Sequence, residues 1–354
     1  MEPCDTAPVE HRVTLQDVAD RAGTSRTTAH YVLTGRDRDM RIAEDTRRRV
    51  LRAAHELRYR PDLMARGLRT RVTRTIALVT ASVATEAYAG ELLSGALASA
   101  IAQGYLVFIG ETGEDPGLEE QLVDQLLARH VDAFLYATDF TREVQLPGSL
   151  RGQRVVLLNC RAPGSGLPSV VPDEVAAGRS AAAALLAAGH RDDIWLVGEP
   201  APHVIAGAER MQGIEEVLGG SGARLADVVA SSWWPESAFE HFGRSLDEGR
   251  RPPSAVICLN DRVAMGVYQA LGARGLAVPG DVSVISFDDS DLAVWLQPAL
   301  SSVALPHREL AATAVDLLLS QEDLVGEECR VPMPLRMRES VGRPRAPSQP
   351  GGGR

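Results

Sequence analysis

Residues 13–35 read VTLQDVADRAGTSRTTAHYVLTG, and this stretch predicts two short helices joined by a tight turn. Thr14 and Asp17 can cap the first helix, because a hydroxyl and a carboxylate at these positions satisfy free backbone N–H groups. Apolar residues then recur at the spacing of one helical face: Leu15, Val18, Ala19 and Ala22. Gly23 supplies the turn, and Ser25 can cap the second helix.

The second helix has one apolar and one polar face. Ala29, Val32 and Leu33 are predicted to point inward, which leaves an outward set of polar side chains: Arg26, Thr27, His30 and Tyr31. Two short helices joined through a glycine turn are typical of a helix-turn-helix, whose second helix can enter the major groove of DNA. Arginine can bind guanine through two hydrogen bonds, and threonine can contact a base edge. A helical hairpin used only for packing has the same spacing and stays an alternative.

A third helix is predicted from about Glu44 to Arg58, before Pro61. Four apolar residues are expected to close a small core against the first two helices: Val50, Leu51, Ala54 and Leu57. Arg47, Arg48 and Arg49 form a basic run that can contact phosphates, although a merely solvated run is an equal alternative.

Charge is distributed unevenly along the chain. The net charge is −10, but residues 12–74 contain 16 Arg against 8 acidic residues, which leaves the remainder at −18. All 37 basic residues are Arg. A basic head on an acidic body favours a local DNA-binding surface, although a solvated basic surface remains possible.

The segment PDLMARGL at 61–68 predicts a short helix that begins after Asp62. A helix from Asp62 to Thr70 would include Gly67, and one so short is unstable in water without support. We therefore expect it to form only against a partner surface.

Residues 14–68 closely resemble the LacI family of bacterial transcription regulators. The family pattern T-x-x-D-V-A-x-x-A-G-V-S-x-x-T-V-S appears as TLQDVADRAGTSRTTAH, and the hinge pattern P-N-x-x-A-R-x-L appears as PDLMARGL. The resemblance implies a hinge helix that folds on the operator and a minor-groove wedge at Leu68. The predicted DNA-binding residues are Thr14, Ser25, Arg26, Thr27, Thr28, His30, Tyr31, Arg47, Ala65, Arg66 and Leu68. Thr24, Ala43 and Asp62 depart from the pattern, and Ala43 removes the usual cap of the third helix.

From Thr75 onward, apolar strands alternate with helices rich in Ala and Leu. The predicted strands are 76–80, 105–109, 133–137, 155–159, 194–198, 228–231, 255–260 and 282–287. Continuous apolar strands separated by helices indicate parallel sheets covered on both faces. About ten strands exceed one doubly wound sheet, so we predict two Rossmann-like α/β subdomains of periplasmic-binding-protein type with a cleft between them.

The resemblance continues more weakly to about Gly342, through AAGHRDDIWLVGEP, VVPDEVAAG, CLNDRVAMGVYQAL and GDVSVISFDDSDLA. Likeness to the family, position by position, implies effector contacts by Asn159, Arg210, Trp233, Asn260, Asp261 and Asp288, and Tyr88 follows the first strand into the same cleft. Such groups can hydrogen-bond sugar hydroxyls, and tryptophan can stack on an apolar sugar face. Alternatively, Asp288 and Asp289 could cap a helix, and Trp233 could belong to the core.

These readings predict a domain order along the chain. Disordered tails are expected at 1–12 and 342–354, a helix-turn-helix domain at 13–60, a hinge helix and linker at 61–74, and an effector-binding and dimerisation domain at 75–341. Within the last, one subdomain is predicted at about 75–160 plus 290–320 and the other at about 161–289 plus 321–341.

The sequence thus predicts a regulator, and more specifically a repressor, whose affinity for a pseudo-palindromic DNA operator is controlled by a small molecule, most simply a sugar. We expect a cytoplasmic homodimer that joins the nucleoid when bound to DNA, because no signal peptide, membrane-spanning stretch or leucine heptad is apparent. Four separate cysteines and the lack of catalytic motifs predict neither enzyme activity, cofactor nor metal. A cytoplasmic solute-binding module without DNA activity is the alternative.

Overall fold

The computed structural model describes residues 13–60, 72–82, 89–200, 204–321 and 326–345. The chain divides into two compact units, Met1–Thr73 and Arg74–Arg354. None of the helices in these described ranges is long and apolar enough to cross a membrane.

The first unit contains the three predicted helices: Leu15–Ala22 (α1), Arg26–Leu33 (α2) and Glu44–Glu56 (α3). The predicted cap of α1 is confirmed, because the Asp17 N–H donates to the Thr14 hydroxyl while the Thr14 N–H donates to the Asp17 carboxylate. Gly23 follows α1 with a left-handed φ of 61°. A side chain with a Cβ adopts that conformation only with strain, so glycine suits the turn.

The core of the first unit differs from the prediction at one position. Leu51 was expected to be buried, but 39% of its surface is exposed. The inward face of α3 is instead formed by Val50 and Ala53, with Ala54 and Leu57 packed at its edge. These four residues have the spacing i, i+3, i+4 and i+7, and Leu51 lies about 100° around the helix from Val50.

The second unit contains two sheets of six strands each. The first is formed by Thr75–Thr80 (β1), Leu106–Glu111 (β2), Ala133–Glu143 (β3), Val155–Arg161 (β4), Ser169–Pro172 (β5) and Glu328–Val331 (β11). The second is formed by Ile194–Val197 (β6), Leu225–Val229 (β7), Ala255–Cys258 (β8), Ser283–Asp288 (β9), Ser301–Ala304 (β10) and Leu335–Arg336 (β12). The orders are β11-β5-β4-β3-β1-β2 and β12-β10-β9-β8-β6-β7. All pairings are parallel except β10 with β12, which confirms the predicted α/β class.

Helices cover both faces of each sheet. They are Ala89–Ala102 (α4), Pro116–Ala128 (α5), Glu174–Ala188 (α6), Ile205–Gly220 (α7), Pro235–Asp247 (α8), Asp261–Gly272 (α9), Asp291–Trp295 (α10) and His307–Leu319 (α11). The first sheet packs against α4 and α11 on one face and α5 on the other. The second packs against α6 and α7 on one face and α8 and α9 on the other. This double burial explains why the strands are apolar along their whole length.

The chain crosses between the two sheets at places other than those predicted. Strand β5 was assigned to the second subdomain but lies in the first sheet, as does β11, whereas β10 lies in the second. The crossings therefore follow Pro172, precede α11, and fall between β11 and β12. The predicted boundaries at 161, 290 and 321 were wrong because these short strands, four residues or fewer, carry little periodic signal.

The two helices on one face of the second sheet, α6 and α7, cross with their backbones in close approach. A Cβ placed on Gly178 would lie 2.1 Å from the carbonyl oxygen of Arg210, and one on Gly213 would lie 2.0 Å from that of Val175. Only glycine fits at such a crossing, since any other residue would force the helices apart. The contact brings the start of α6 to the side chain of Arg210.

Residues 342–345, the first four of the predicted C-terminal tail, are among the described residues. Gly342 donates its N–H to the Ser283 hydroxyl at 3.0 Å, and its carbonyl oxygen lies 3.0 Å from the His190 ring. Arg345 pairs with Asp281. Residues 342–345 therefore pack on the second sheet. The rest of that tail, the tail at 1–12 and residues 61–71 of the hinge lie outside the described residues.

Candidate functional site

The polar residues predicted to contact DNA lie around α1 and α2. Thr14, Ser25, Arg26 and Thr27 are exposed, and Thr28, His30 and Tyr31 are half-buried. The Ser25 hydroxyl accepts the Thr28 N–H at 3.1 Å and lies 2.8 Å from the Thr28 hydroxyl. The start of α2 is thus fixed by these hydroxyls.

Arg26 and Thr27 differ from these capping residues. Within the described part of the chain, neither side chain makes a hydrogen bond or an ion pair with another residue. Both are at the N-terminal end of α2, the end of a recognition helix from which bases are read. This surface is available to an incoming duplex without loss of internal contacts.

The basic run on α3 is partly engaged within the protein. Arg47 lies 3.2 Å from Asp37 and 3.1 Å from Glu44, and Arg48 and Arg49 lie within 4 Å of Asp45. The pairs with Glu44 and Asp45 are solvent-exposed and weak, so a phosphate can compete for these arginines, whereas Asp37 is only 13% exposed. The phosphate contact predicted for Arg47 stays a prediction.

A second candidate site lies at the carboxyl ends of the strands of the second sheet and is centred on Arg210. The Arg210 side chain is only 2% exposed and pairs through Nε and Nη2 with the Glu174 carboxylate at 2.7 and 3.0 Å. Its Nη1 donates to the carbonyl oxygen of Leu259, just after β8. The guanidinium carbon lies 4.6 Å from the ring centre of Phe287 and 5.6 Å from that of Trp233.

Asp288 and Trp233 hold the polar atoms of this site that are least engaged. An Asp288 carboxylate oxygen lies 3.6 Å from Nη2 of Arg210, and 30% of the Asp288 side chain is exposed. Ser290, and not Asp288 or Asp289, is the N-cap residue of α10, so the helix-capping alternative does not hold. Trp233 packs at the edge of the core, yet its buried Nε1 has no hydrogen-bond partner among the described residues.

Asn260 and Asp261 are fixed by internal hydrogen bonds. The Asn260 side chain accepts the Val263 N–H at 2.7 Å and donates to the Trp233 carbonyl oxygen at 3.2 Å. The buried Asp261 carboxylate accepts from the Ser290 N–H at 2.7 Å and the Ser302 hydroxyl at 2.8 Å. Both residues hold the frame of the site, and their predicted effector contacts stay predictions.

Asn159 lies in the first sheet, two residues before the end of β4, with a left-handed φ of 60°. Its side chain accepts from the Thr141 hydroxyl at 2.8 Å and donates to the Thr138 carbonyl oxygen at 3.3 Å. These bonds fix the irregular end of β3, and no described contact joins Asn159 to Arg210. Tyr88 lies outside the described residues, so the structure does not bear on its predicted role.

Glu174 is the site residue that the sequence reasoning missed. It follows Asp173 at the start of α6 and is 1% exposed, although such a position usually reads as a surface charge. Burial raises the pKa of Glu174, while the adjacent guanidinium opposes that shift. A buried arginine needs a buried carboxylate, and this requirement is the signal that would have pointed to it.

Burial and neighbouring charges also shift the pKa values of Asp288 and Arg210. Burial raises the pKa of Asp288 to about 6, although Arg210 favours its ionised form. For Arg210, burial works against the charged form, but Glu174 and Asp288 outweigh it and raise its pKa. The arginine therefore stays protonated, and Asp288 is an acceptor above about pH 6.

The geometry defines a class of protein: a helix-turn-helix unit of the kind that binds DNA, joined in one chain to a two-sheet α/β unit with a cluster of polar side chains at the carboxyl ends of its second sheet. Residues 14–62 match the family described as bacterial regulatory proteins, lacI family, and residues 182–341 match the periplasmic binding protein-like domain. The chain belongs to the LacI family of bacterial transcription regulators.

Curated relatives and solved structures agree over nearly the whole chain. The transcriptional regulator AscG of Escherichia coli is 32% identical over 88% of this chain and 92% of its own. The sucrose operon repressor of Escherichia coli is 32% identical over 92% and 99%. Among solved structures, the lac repressor dimer bound to operator and an anti-inducer has a TM-score of 0.75 at 25% identity, over 94% of this chain and all of that chain. A complex of the regulator CelR with cellobiose has a TM-score of 0.65 at 28% identity, over 93% and 100%.

Proposed function

We propose that this regulator is a repressor that binds a pseudo-palindromic operator as a homodimer and responds to a sugar in the cleft of its second unit. One observation carries the proposal. A helix-turn-helix with an exposed Arg26 and Thr27 occurs in the same chain as a cluster in which Asp288 and Trp233 both lie beside Arg210.

Operator binding is supported by the excess of arginine over acidic residues in the segment 12–74. Arg26 and Thr27 can read base edges, while arginines of α3 and residues Ala65, Arg66 and Leu68 of the hinge segment can hold the backbone and the minor groove. The relatives matched over most of the chain are named as regulators and repressors. We infer from this that the chain acts by binding and not by catalysis, and that it acts in the cytoplasm where its DNA lies.

The sugar part rests on the chemistry of the cleft. An ionised Asp288 can accept from a hydroxyl, and the Trp233 Nε1 can donate to one. The Trp233 ring offers a surface for an apolar sugar face. One structural relative is a complex with cellobiose, and the sucrose operon repressor is among the relatives by sequence.

The dimer part rests on an exposed apolar strand edge. Strand β2 is at the edge of the first sheet and exposes Leu106, Phe108 and Ile109 by 63%, 46% and 42%. Ile101 of the preceding α4 is also 64% exposed. Contiguous apolar surface of this kind marks interfaces in soluble proteins, and a second copy would cover it. Sedimentation of the purified chain as a monomer at micromolar concentration would contradict this part.

Operator binding and its control by the sugar are tested together by gel shift. Purified protein is titrated into the DNA upstream of its own gene, with and without each sugar of a panel. A shift to a discrete complex that a sugar weakens or strengthens is the expected result. A chain that binds sugar but ignores every fragment of its own genome would instead be a solute-binding module.

The hinge is tested by Leu68→Ala. Loss of the apolar wedge is expected to weaken operator binding by about 2 kcal/mol or more, because unstacking of the DNA would no longer be offset. Sugar binding, measured by calorimetry on the same sample, should be unchanged. Unaltered operator affinity would refute the role inferred for the hinge.

A further inference from the structure

The central cation of the proposed effector site is already paired with other groups of the protein. Arg210 is the cation at its centre, and both of its outer nitrogens and Nε are already bonded to Glu174 or to Leu259. A guanidinium binds a ligand carboxylate or phosphate through two parallel hydrogen bonds. Glu174 holds that face of Arg210, so this mode of anion binding is occupied by the protein itself.

The pairing with Glu174 is built into the helix packing. Glu174 begins α6 and Arg210 lies within α7, and the close crossing at Gly178 and Gly213 fixes the two helices against each other. Both side chains are almost fully buried, at 2% exposure each. Separating them would leave two buried charges unpaired, which costs several kcal/mol.

The remaining charges near the site are mostly negative. Asp288 lies 3.6 Å from Arg210, and the negative charge of Asp261 also raises the pKa of Arg210. Arg262 is a second cation, and its charge lowers the pKa of Asp288. Three carboxylates thus stand against two guanidinium groups, and Glu174 neutralises the more buried of these.

We propose, building on the sugar-binding function above, that the effector is an uncharged saccharide and that phosphorylated and carboxylated sugars are excluded from the site. Sugar hydroxyls can donate to Asp288 and can accept from the Trp233 Nε1. A phosphate or a carboxylate group offers mainly acceptors, so it would face the Asp288 carboxylate while the Arg210 guanidinium is already bonded to Glu174.

The test is a calorimetric titration of the full-length protein with matched sugar pairs. Each pair consists of a neutral sugar and its acidic derivative: glucose with glucose 6-phosphate, glucose with glucuronate, ribose with ribose 5-phosphate, and sucrose with sucrose 6-phosphate. In whichever pair binds, the neutral member is expected to bind at least about tenfold more tightly, a difference of about 1.4 kcal/mol.

The outcomes separate this inference from the function on which it rests. Tighter binding of an acidic member would overturn the inference and leave a sugar-responsive regulator in place. No binding by any member of the panel would overturn the sugar effector itself, and the inference with it.

The role of Glu174 is tested by Glu174→Gln, which leaves Arg210 with a neutral partner. The preference for the neutral member is expected to shrink by about tenfold or more, because part of the guanidinium becomes available to an anion. Glu216→Gln, which removes an exposed ion pair of α7 with Arg179, should keep the full preference. An unchanged preference in a folded Glu174→Gln protein would refute this role.

Should that variant fail to fold, the wild-type protein gives a second measurement. The acidic member of the pair is titrated at low and high salt, and its affinity is expected to rise with salt as the repulsion from Asp288 is screened. Affinity of the acidic member that falls steeply with salt would indicate an ion pair with a guanidinium and would contradict the proposal.

Discussion

At the residue scale, the structure divides the predicted effector residues by how far their polar atoms are already used. Asn260 and Asp261 bond to the protein around them, and Asn159 fixes the end of β3. Asp288 and Trp233 keep atoms that a ligand can use. The sequence could identify all of these residues by type and position, but hydrogen-bond partners depend on neighbours distant in the chain.

Trp233→Phe should weaken sugar binding by about 1 kcal/mol, roughly fivefold, because an aromatic ring remains while the Nε1 donor is lost. The free energy of unfolding should fall only by the packing lost with the smaller ring, since Nε1 has no hydrogen-bond partner in the described residues. Calorimetry and a thermal melt measure the two effects. Trp234→Phe at the exposed neighbouring residue is the control, and an equal loss there would contradict the role of Trp233.

Asp288→Asn tests the titration of the cleft. The pKa of Asp288 is raised from 3.8 to about 6, chiefly by burial, so wild-type sugar affinity should fall as pH drops through about 6 and the acceptor is protonated. The variant should bind more weakly at pH 8 by about tenfold and show no such step.

Stability should show the opposite trend with pH. A raised carboxyl pKa means that the folded state holds the proton more tightly, so this group's contribution to stability falls as pH rises from 3.8 to about 6. Asp288→Asn should remove that decline in thermal melts. A variant whose affinity and stability follow the wild-type pH curves would show that another group titrates.

At the element scale, the sequence predicted β1–β4 and β6–β9 and the three helices of the first unit, because continuous apolar runs and capping residues carry strong local signals. It missed β5, β10, β11 and β12, which have four residues or fewer and, unlike the equally short β6 and β8, include polar residues or proline. It also missed the buried Glu174, because a carboxylate at the start of a helix is ordinarily exposed.

Gly178→Ala tests the crossing of α6 and α7. The added Cβ would lie 2.1 Å from a backbone oxygen, so the helices must separate and the Glu174–Arg210 pair must distort. We expect a loss of at least about 2 kcal/mol in unfolding free energy, together with loss of sugar binding. Gly219→Ala in the same α7 has open space around its Cβ and should stabilise by up to about 1 kcal/mol. Equal effects of the two changes would refute the close crossing.

At the scale of the second unit as a whole, an ionic network spans its two subdomains. Arg161 at the end of β4 lies 2.9 Å from Glu209 of α7, and Arg330 of β11 lies 3.5 Å from the same carboxylate. Arg161 also pairs with Glu328 at 2.6 Å. The network joins elements of both sheets beside the crossover after Pro172, where a change in their relative angle must be accommodated.

Glu209→Gln should lower the unfolding free energy by about 1 kcal/mol at low salt, because Arg161 and Arg330 lose a shared carboxylate that is only 16% exposed. The loss should shrink at high salt. Glu216→Gln removes an exposed pair on the same helix and should change stability by less than about 0.5 kcal/mol. Thermal melts of both variants at two salt concentrations measure these effects. Equal stability of Glu209→Gln and Glu216→Gln would mean that the network has no stabilising role.

The chain passes three times between the two sheets, and this determines how the protein responds to proteolytic cleavage. A protease that cuts one of these connections leaves the other two joining the subdomains. The cut protein should therefore elute as one particle from a sizing column but give two bands on a denaturing gel. All three connections must be cut before the subdomains can separate, so a single proteolytic cut should leave the second unit assembled.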